Sequence, residues 1–355
     1  MRFLGGAAGV RSLKLKLLYI SSSVGLGHVT RDLRLSRELA KRADITWLTA
    51  GRAAEYLAVR GERLHELSPA MKSLGKSIEN VIRGCRVRMT PWGLLQLYRD
   101  LRHNANIIRD HLDLEAYDLI VCDEPWELML SGVKVPYRSS VLITDITRFG
   151  HEGNESWVYR KVNSWLSDKF SEFRLKFDVG LWGDSGDFLR LGQIMTHEGY
   201  PGTSDDGPIV INVGGTGLVS KFARSIRNQL NRYGMESIVI GGDDFVANPL
   251  KYIADAKALV TLAGYGSLVE AAALGKRAVI LTIDGHFEHE ENALLFKGRQ
   301  GYRVMKCSEA TADSVASRLG EVIKERPSPP RVVDATHAIA SNILRLADEG
   351  LEFKS

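Results

Sequence analysis

Residues Ser21 to Arg42 read SSSVGLGHVTRDLRLSRELAKR, which sets Gly25, Gly27 and His28 between an apolar run and a helix-period segment. Strand, glycine turn and helix in that order aim backbone N–H groups and the positive end of a helix at an anion. An imidazole at such a turn titrates near neutral pH and can exchange a proton with a ligand. Loops of the same build recur in INVGGTGLVSKFARS, from Ile211, and in TLAGYGSLVEAAALG, from Thr261. One glycine loop alone marks only a tight turn, but two in one half of the chain, each entering a helix, point to a diphosphate site. A nicotinamide site fits poorly. The first loop runs G-x-G-H-x-x-R with Thr30 at the third glycine position, and the next strand ends TWLTAGR, without the acid that would hold a ribose hydroxyl.

Two further groups carry chemistry. Glu270 follows Ser267 by three residues, a spacing that fits a capping box and also a carboxylate placed to accept hydrogen bonds from ribose. The junction TIDGHFEHEENALLF crowds His286, Glu288, His289, Glu290, Glu291 and Asn292 together. It matches no strong zinc spacing, and H-E-x-x-H is absent. An acidic first helical turn or a set of acceptors for sugar hydroxyls remain as readings.

These loops need strands and helices to hold them. Short apolar runs (LKLLYISS, DITWLT, RLHEL, YDLIVCD, SSVLITD, FDVGLW) alternate with helix-period segments, the pattern of parallel sheets covered by helices. Gly, Pro, Ser and Asp concentrate in EGYPGTSDDGP, Glu198 to Pro208, which reads as an interdomain linker. Beyond it the pattern restarts with PIVINV, SIVIGG, ALVTLA, RAVILT and GYRVM, and RPSPP precedes a last helix over about Asp334 to Ala347. The expected fold class is α/β, with residues 1–199 and 200–330 as two Rossmann-like domains and 331–355 as a C-terminal helix that packs back on the first.

A chain of 355 residues exceeds the usual size of one core. Hydrophobic residues at 44% and charged residues at 25% exclude disordered, collagenous and coiled-coil classes. The net charge of +4 suits phosphate-bearing ligands or an anionic surface and is too small to argue for nucleic acid. Cys85, Cys122 and Cys307, odd in number and widely spaced, read as unpaired thiols of a cytoplasmic protein. Neither a signal peptide nor a transmembrane run is apparent.

Taken together, GLGHVTR (Gly25–Arg31), NVGGTG (Asn212–Gly217), TLAGYGSLVEAAALGK (Thr261–Lys276) and GHFEHEENALLFKGRQGY (Gly285–Tyr302) resemble the GT-B glycosyltransferase superfamily. The likeness is strongest to the branch that holds the N-acetylglucosaminyltransferase of lipid-linked peptidoglycan precursor synthesis and related prokaryotic enzymes. It implies two Rossmann-like domains facing across a cleft, the first taking an acceptor and the second a nucleotide-sugar, often a UDP-sugar. Carried onto this chain, Gly214, Gly215, Thr216, Gly264, Gly266 and Ser267 would face the diphosphate and Glu270 the ribose. Glu290, Glu291 and Asn292 would lie near the donor sugar. The family commonly has Gln or Asp-Gln at positions 290 and 291, so the chain departs there. Gly25, Gly27 and Arg31 would form the acceptor loop.

The same likeness makes His28 the general base on the acceptor hydroxyl. Asp123 would orient it, with Glu124 and Asp145 as substitutes. No D-x-D triplet occurs, so helix ends, loop amides and Lys221 or Arg31 would meet the phosphates without an obligatory metal or cofactor. The implied reaction is an inverting, metal-independent transfer. A hydrolase is the alternative, because the glycine-histidine-arginine loop also resembles the nucleotide-sugar hydrolase of pseudaminic acid synthesis; a non-catalytic nucleotide-sugar-binding protein is a third reading.

Between Leu64 and Phe177 little of that likeness is visible. Arg83, Arg86, Arg88, Arg99, Arg102 and Arg109 surround PWGLLQLY there. Residues 82–112 would therefore either dock peripherally on the inner face of a membrane, toward a lipid-linked acceptor, or form an ordinary amphipathic helix. That helix would bury Leu94, Leu95, Leu97, Tyr98 and Leu101.

Overall fold

The structure, a computed structural model, describes residues 14–352 apart from 84, 89, 151–156, 183–185, 198, 200–201, 215–218, 243, 245 and 247–248. Gly215 and Thr216 therefore lie outside the described residues. So do residues 1–13, on which the signal-peptide expectation falls.

In the first half the chain runs β1 (Leu15–Ser21), α1 (Gly27–Leu39), β2 (Ala43–Leu48), α2 (Gly51–Ala58), α3 (Leu74–Val81), β3 (Ile82–Arg83), β4 (Arg86–Val87) and α4 (Pro91–His111). It continues through β5 (Leu119–Asp123), α5 (Trp126–Ser131), β6 (Ser140–Thr144), α6 (Trp157–Ser171) and β7 (Leu175–Asp178). The second half runs β8 (Ile209–Asn212), α7 (Ser220–Arg232), β9 (Ser237–Ile240), α8 (Pro249–Asp255), β10 (Leu259–Leu262) and α9 (Tyr265–Ala273). After these come β11 (Ala278–Thr282), α10 (Phe287–Leu294), β12 (Tyr302–Lys306), α11 (Ala312–Val322) and α12 (Thr336–Glu352).

Two five-stranded parallel sheets result, ordered β2-β1-β5-β6-β7 and β12-β11-β10-β8-β9. LIVCD of β5 and SVLIT of β6 are buried at every position, as parallel strands covered on both faces must be. In each sheet the chain fills one side of its first strand and then crosses to the other. These reversals, between β1 and β5 and between β8 and β10, open crevices at the carboxyl ends of those strands. The histidine loop follows β1 and Asp123 ends β5, while Asn212 ends β8 and Gly264 follows β10. Both sets of residues singled out from the sequence thus sit at reversals of strand order.

The helix α12 returns to the first domain. Ile339, Ile343 and Leu346 are buried, and Arg42 and Arg174 reach Asp348 and Glu349 at 2.6 Å each. The segment before it is stitched to the first domain by Gln193, whose N–H donates to Val333 O at 2.8 Å and whose carbonyl accepts from Ala335 N–H at 2.9 Å.

Four sequence expectations change. RLHEL is not a strand: it makes a single bridge, Trp47 with Leu64. The His65 ring then takes the Leu67 N–H at 3.1 Å and turns the chain away. Cys85 and Cys307 are not free thiols but a disulfide with Cα atoms 5.4 Å apart, and Cys122 is the free, buried one. This bond joins the β3–β4 hairpin of the first domain to the end of β12. Beside it Val87 N–H donates to Asp284 O at 2.8 Å, Asp284 N–H donates to Cys85 O at 2.9 Å, and Arg86 pairs with Asp284 at 3.3 Å.

The ordinary amphipathic reading of α4 also fails. Thr90 caps the helix by accepting from Gly93 N–H at 3.1 Å, and Pro91 starts it. Its inward side is Asp100, Asn104, Ala105 and Ile108, whereas Trp92, Leu94, Leu95 and Tyr98 are exposed. Finally, Ser267 and Glu270 form no capping box. Gly264 is the N-cap of α9, and Ser267 lies inside the helix, accepting from Asn212 Nδ2 at 3.3 Å.

Candidate active site

The first crevice is built by α1. His28, Arg31, Asp32, Leu35 and Leu39 recur at helical spacing and share one inward face. Asp32 fixes that face against β1: it accepts hydrogen bonds from Tyr19 OH at 2.9 Å and Ser21 Oγ at 2.6 Å. The β1–β5 register pairs Ser21 with Asp123, so the end of β5 arrives beside the first turn of α1.

There Arg31, 2% exposed, grips Asp123 with two parallel bonds, Nε to Oδ2 and Nη2 to Oδ1, both 2.7 Å. Its Nη2 also donates to Asp145 Oδ1 at 2.9 Å. Both Nη2 hydrogens are then used, so the approach of Nη2 to His28 Nδ1, 3.0 Å, is a contact and not a donated bond. The His28 Nδ1–H donates to Asp123 Oδ1 at 3.2 Å, and Nε2 faces Glu124 Oε2 at 3.6 Å. His28 and Asp123 thus come together, and Glu124 and Asp145 join them instead of substituting. Arg31, expected in the acceptor loop or against phosphate, is buried, with its Nε and Nη2 donors bound to the carboxylates of Asp123 and Asp145.

The electrostatics depart from a histidine poised at neutrality. Burial alone would lower the His28 pKa, but the carboxylates of Asp123 and Glu124 outweigh it and push it up to about 10. Burial would raise Asp123, yet Arg31 and His28 hold its carboxyl far below the usual range. Glu124 goes the other way: burial and then the charge of Asp145 raise it well above an ordinary glutamate. One ligand atom from each of His28, Glu124 and Asp145 lies within 4.8 Å of the others, a spacing that could hold a cation. The Arg31 guanidinium already brings positive charge to Asp145 there.

The second crevice supplies the start of α9. Its first N–H groups have no acceptor within the helix, and the Tyr265 N–H is taken by Glu288 Oε1 at 3.2 Å. A Cβ on Gly266 would meet open space, so a ligand can approach the backbone there. Gly214, at φ +69°, donates its N–H to Asn212 Oδ1 at 3.0 Å. Glu270 is buried, accepts from Thr196 Oγ1 at 2.8 Å, and is pushed up by burial to about 7.

Of the acidic junction, Glu290 folds back to accept Gly285 N–H at 2.9 Å. Asn292 is buried and braces Ala263 O at 3.2 Å and Glu288 Oε1 at 3.3 Å. Glu291 is buried as well. The carboxylate that faces α9 is Glu288, raised by burial and by Asp145 and drawn back by the charges of His286 and His28. The sequence marked Glu288 only as one of several acids. Its alignment with Tyr265 depends on the packing of α10 against α9.

The two crevices meet. The Arg31 guanidinium lies 4.8 Å from the Tyr265 ring centre. Phe287 packs on Phe149 and Trp182 of the first domain, with ring centres 5.5 and 5.1 Å away.

Comparison with known proteins bears on the fold that carries these crevices. The glycosyltransferase family 28 C-terminal domain matches residues 210–347. An uncharacterized glycosyltransferase of Methanosarcina mazei is 22% identical over 359 residues, covering 88% of this chain and 91% of its own. Among solved structures, the glycotransferase of kitacinnamycin superposes with a TM-score of 0.58 at 14% identity, over 95% of this chain and 96% of the other. Arabidopsis thaliana UGT89C1, solved with UDP-L-rhamnose, gives 0.54 at 14% identity, over 96% and 94%. Its paired parallel-sheet domains thus share the fold of these glycosyltransferase structures, and residues 210–347 match a glycosyltransferase family 28 C-terminal domain, which together support a transferase.

Proposed function

We propose that the protein transfers a sugar from a nucleotide-sugar, with a UDP-sugar as the first candidate, to an acceptor hydroxyl, with inversion and without an obligatory metal. The observation that carries this reading is the meeting of the His28–Asp123 cluster with the start of α9 through Arg31 and Tyr265. The acceptor binds the domain of residues 1–199 and the donor that of residues 200–330. Helix-end and loop amides near Gly214, Gly264, Gly266 and Ser267 receive the diphosphate, and Glu270 receives the ribose. His28, held by Asp123, contacts the acceptor hydroxyl. The UDP-L-rhamnose bound to UGT89C1 supports a nucleotide-sugar donor, and a lipid-linked acceptor is what the sequence resemblance to the peptidoglycan-precursor branch implies.

Calorimetric titration with UDP tests the donor half. Glu270→Ala is expected to weaken binding about tenfold, through lost hydrogen bonds to a charged group. Unchanged affinity would leave Glu270 as a partner of Thr196 alone. Free sugar released at full rate with no acceptor present would move the assignment to the hydrolase.

The exposed face of α4 adds a place of action. Trp92 is 78% and Tyr98 59% exposed, Leu94 and Leu95 lie beside them, and Arg88, Arg99 and Arg102 are exposed nearby. Aromatic and aliphatic side chains ringed by arginine suit an anionic bilayer surface. No helix among the described residues is long and apolar enough to cross one. Sedimentation with phosphatidylglycerol-containing vesicles is expected to carry the protein down, and W92A/Y98A to weaken that binding about tenfold. No binding to such vesicles would end the idea.

A further inference from the structure

Glu124 is the buried carboxylate of the cluster for which the pairing of His28 with Asp123 has no use. It directly follows β5 and holds φ +48°, the left-handed region that residues other than glycine seldom adopt. Its backbone is pinned there: its N–H donates to Ile143 O at 3.2 Å, and its carbonyl accepts from Trp126 N–H at 2.9 Å. Strain of this kind persists where the surrounding structure enforces it, and it collects at functional positions. The result is that Oε2, on a side chain 5% exposed, stands 3.6 Å from His28 Nε2.

Nε2 is the only His28 nitrogen left for an acceptor, since Nδ1 is committed to Asp123. The gap to Oε2 is too long for a good direct hydrogen bond, yet a hydroxyl oxygen can sit about 2.8 Å from both atoms. We propose that Glu124 is a further catalytic residue, sharing the acceptor hydroxyl with His28 as one proton-accepting pair. This rests on the transfer reaction proposed above.

Before transfer the pair holds one proton between Nε2 and Oε2. As the acceptor oxygen bonds to the anomeric carbon, its O–H bond breaks and that proton becomes the second on the pair, leaving imidazolium beside carboxylic acid. The bond from the anomeric carbon to the diphosphate breaks, and its electron pair leaves with the nucleoside diphosphate.

The charged groups facing the pair are Arg31 of α1, Asp123 of β5, Asp145 beyond β6 and Glu288 of α10. Arg31 against Asp123 and Asp145 leaves one net negative charge, which favours a proton on the pair. Two carriers of one proton titrate as a unit, so removing one must change the other.

The experiment is NMR titration of the full-length protein with ring-labelled histidine, the His28 signal being identified by its loss in His28→Gln. In Glu124→Gln the His28 midpoint is expected to fall by about one pH unit or more. In the same variant, kcat with a nucleotide-sugar and acceptor falls about 100-fold while UDP affinity holds. Should Glu124→Gln fail to fold, Glu124→Asn replaces it, asparagine being at ease in the left-handed region. An unmoved His28 midpoint, or a variant as fast as wild type, overturns the proposal. Wild-type protein that turns over no nucleotide-sugar would sink the transfer reading and Glu124's catalytic role with it. A moved midpoint in that case locates the failure in the reaction and not in the pairing.

Discussion

Replacing His28 with alanine is expected to lower turnover by about two orders of magnitude or more while UDP affinity stays nearly unchanged. The reason is positional. His28 belongs to the first crevice, on α1, while the groups proposed for the diphosphate and ribose belong to β8, α9 and the loops beside them. An interaction made only as the acceptor oxygen gains charge appears in kcat and not in nucleotide binding. Equal rates for the two proteins would remove His28 from the chemistry.

The same variant has a substrate-free signature. The folded-state pKa of His28, about 10, is above the ordinary value near 6.5 expected for an unfolded chain. Its protonation therefore stabilises the fold fully below pH about 6.5, and the contribution is lost as pH rises through 10. Melting temperatures of wild type and His28→Ala should accordingly converge toward alkaline pH. A gap that is constant across pH would contradict the buried ion pairing of this ring.

Arg31→Ala should produce the largest loss of stability. It removes the guanidinium from between Asp123 and Asp145, which are 0% and 6% exposed and would be left as uncompensated buried carboxylates. Breaking such a pair from one side costs about 3–5 kcal/mol. For a chain of this size that lowers the melting temperature by roughly 4–7 °C. Arg31→Lys should recover only part of it, because an ammonium cannot grip Asp123 through two parallel bonds and reach Asp145 as well. Calorimetry decides: an Arg31→Ala protein that melts with wild type would mean the cluster relaxes or protonates at little cost.

Much of this architecture was legible in the residues. Strands such as LIVCD are apolar throughout because both faces of a parallel sheet are covered, and that run cannot be mistaken for a solvent-facing strand. The closeness of His28 and Asp123 was legible only through the family resemblance, which put an acid from the end of a later strand beside the histidine of the first glycine loop. What escaped depends on facts that no local pattern holds. The spacing of α4 gives it an apolar face, but whether anything covers Trp92 and Tyr98 is decided by the rest of the fold. Arg31 read as a ligand-facing cation because its two buried carboxylates lie 92 and 114 residues away. RLHEL has the composition of an edge strand, and one ring nitrogen of His65, bonded to the Leu67 amide, stops it from becoming one.

The bond between Cys85 and Cys307 spans 222 positions of sequence. Everything between those two residues, including the glycine- and aspartate-rich stretch from Gly202 to Pro208, is a closed ring of covalent bonds. Two lobes strung on one thread separate when the thread is cut. Here a single nick in that stretch opens the ring and frees neither lobe, so the enzyme would pass through limited cleavage as one molecule until its sulfurs were reduced.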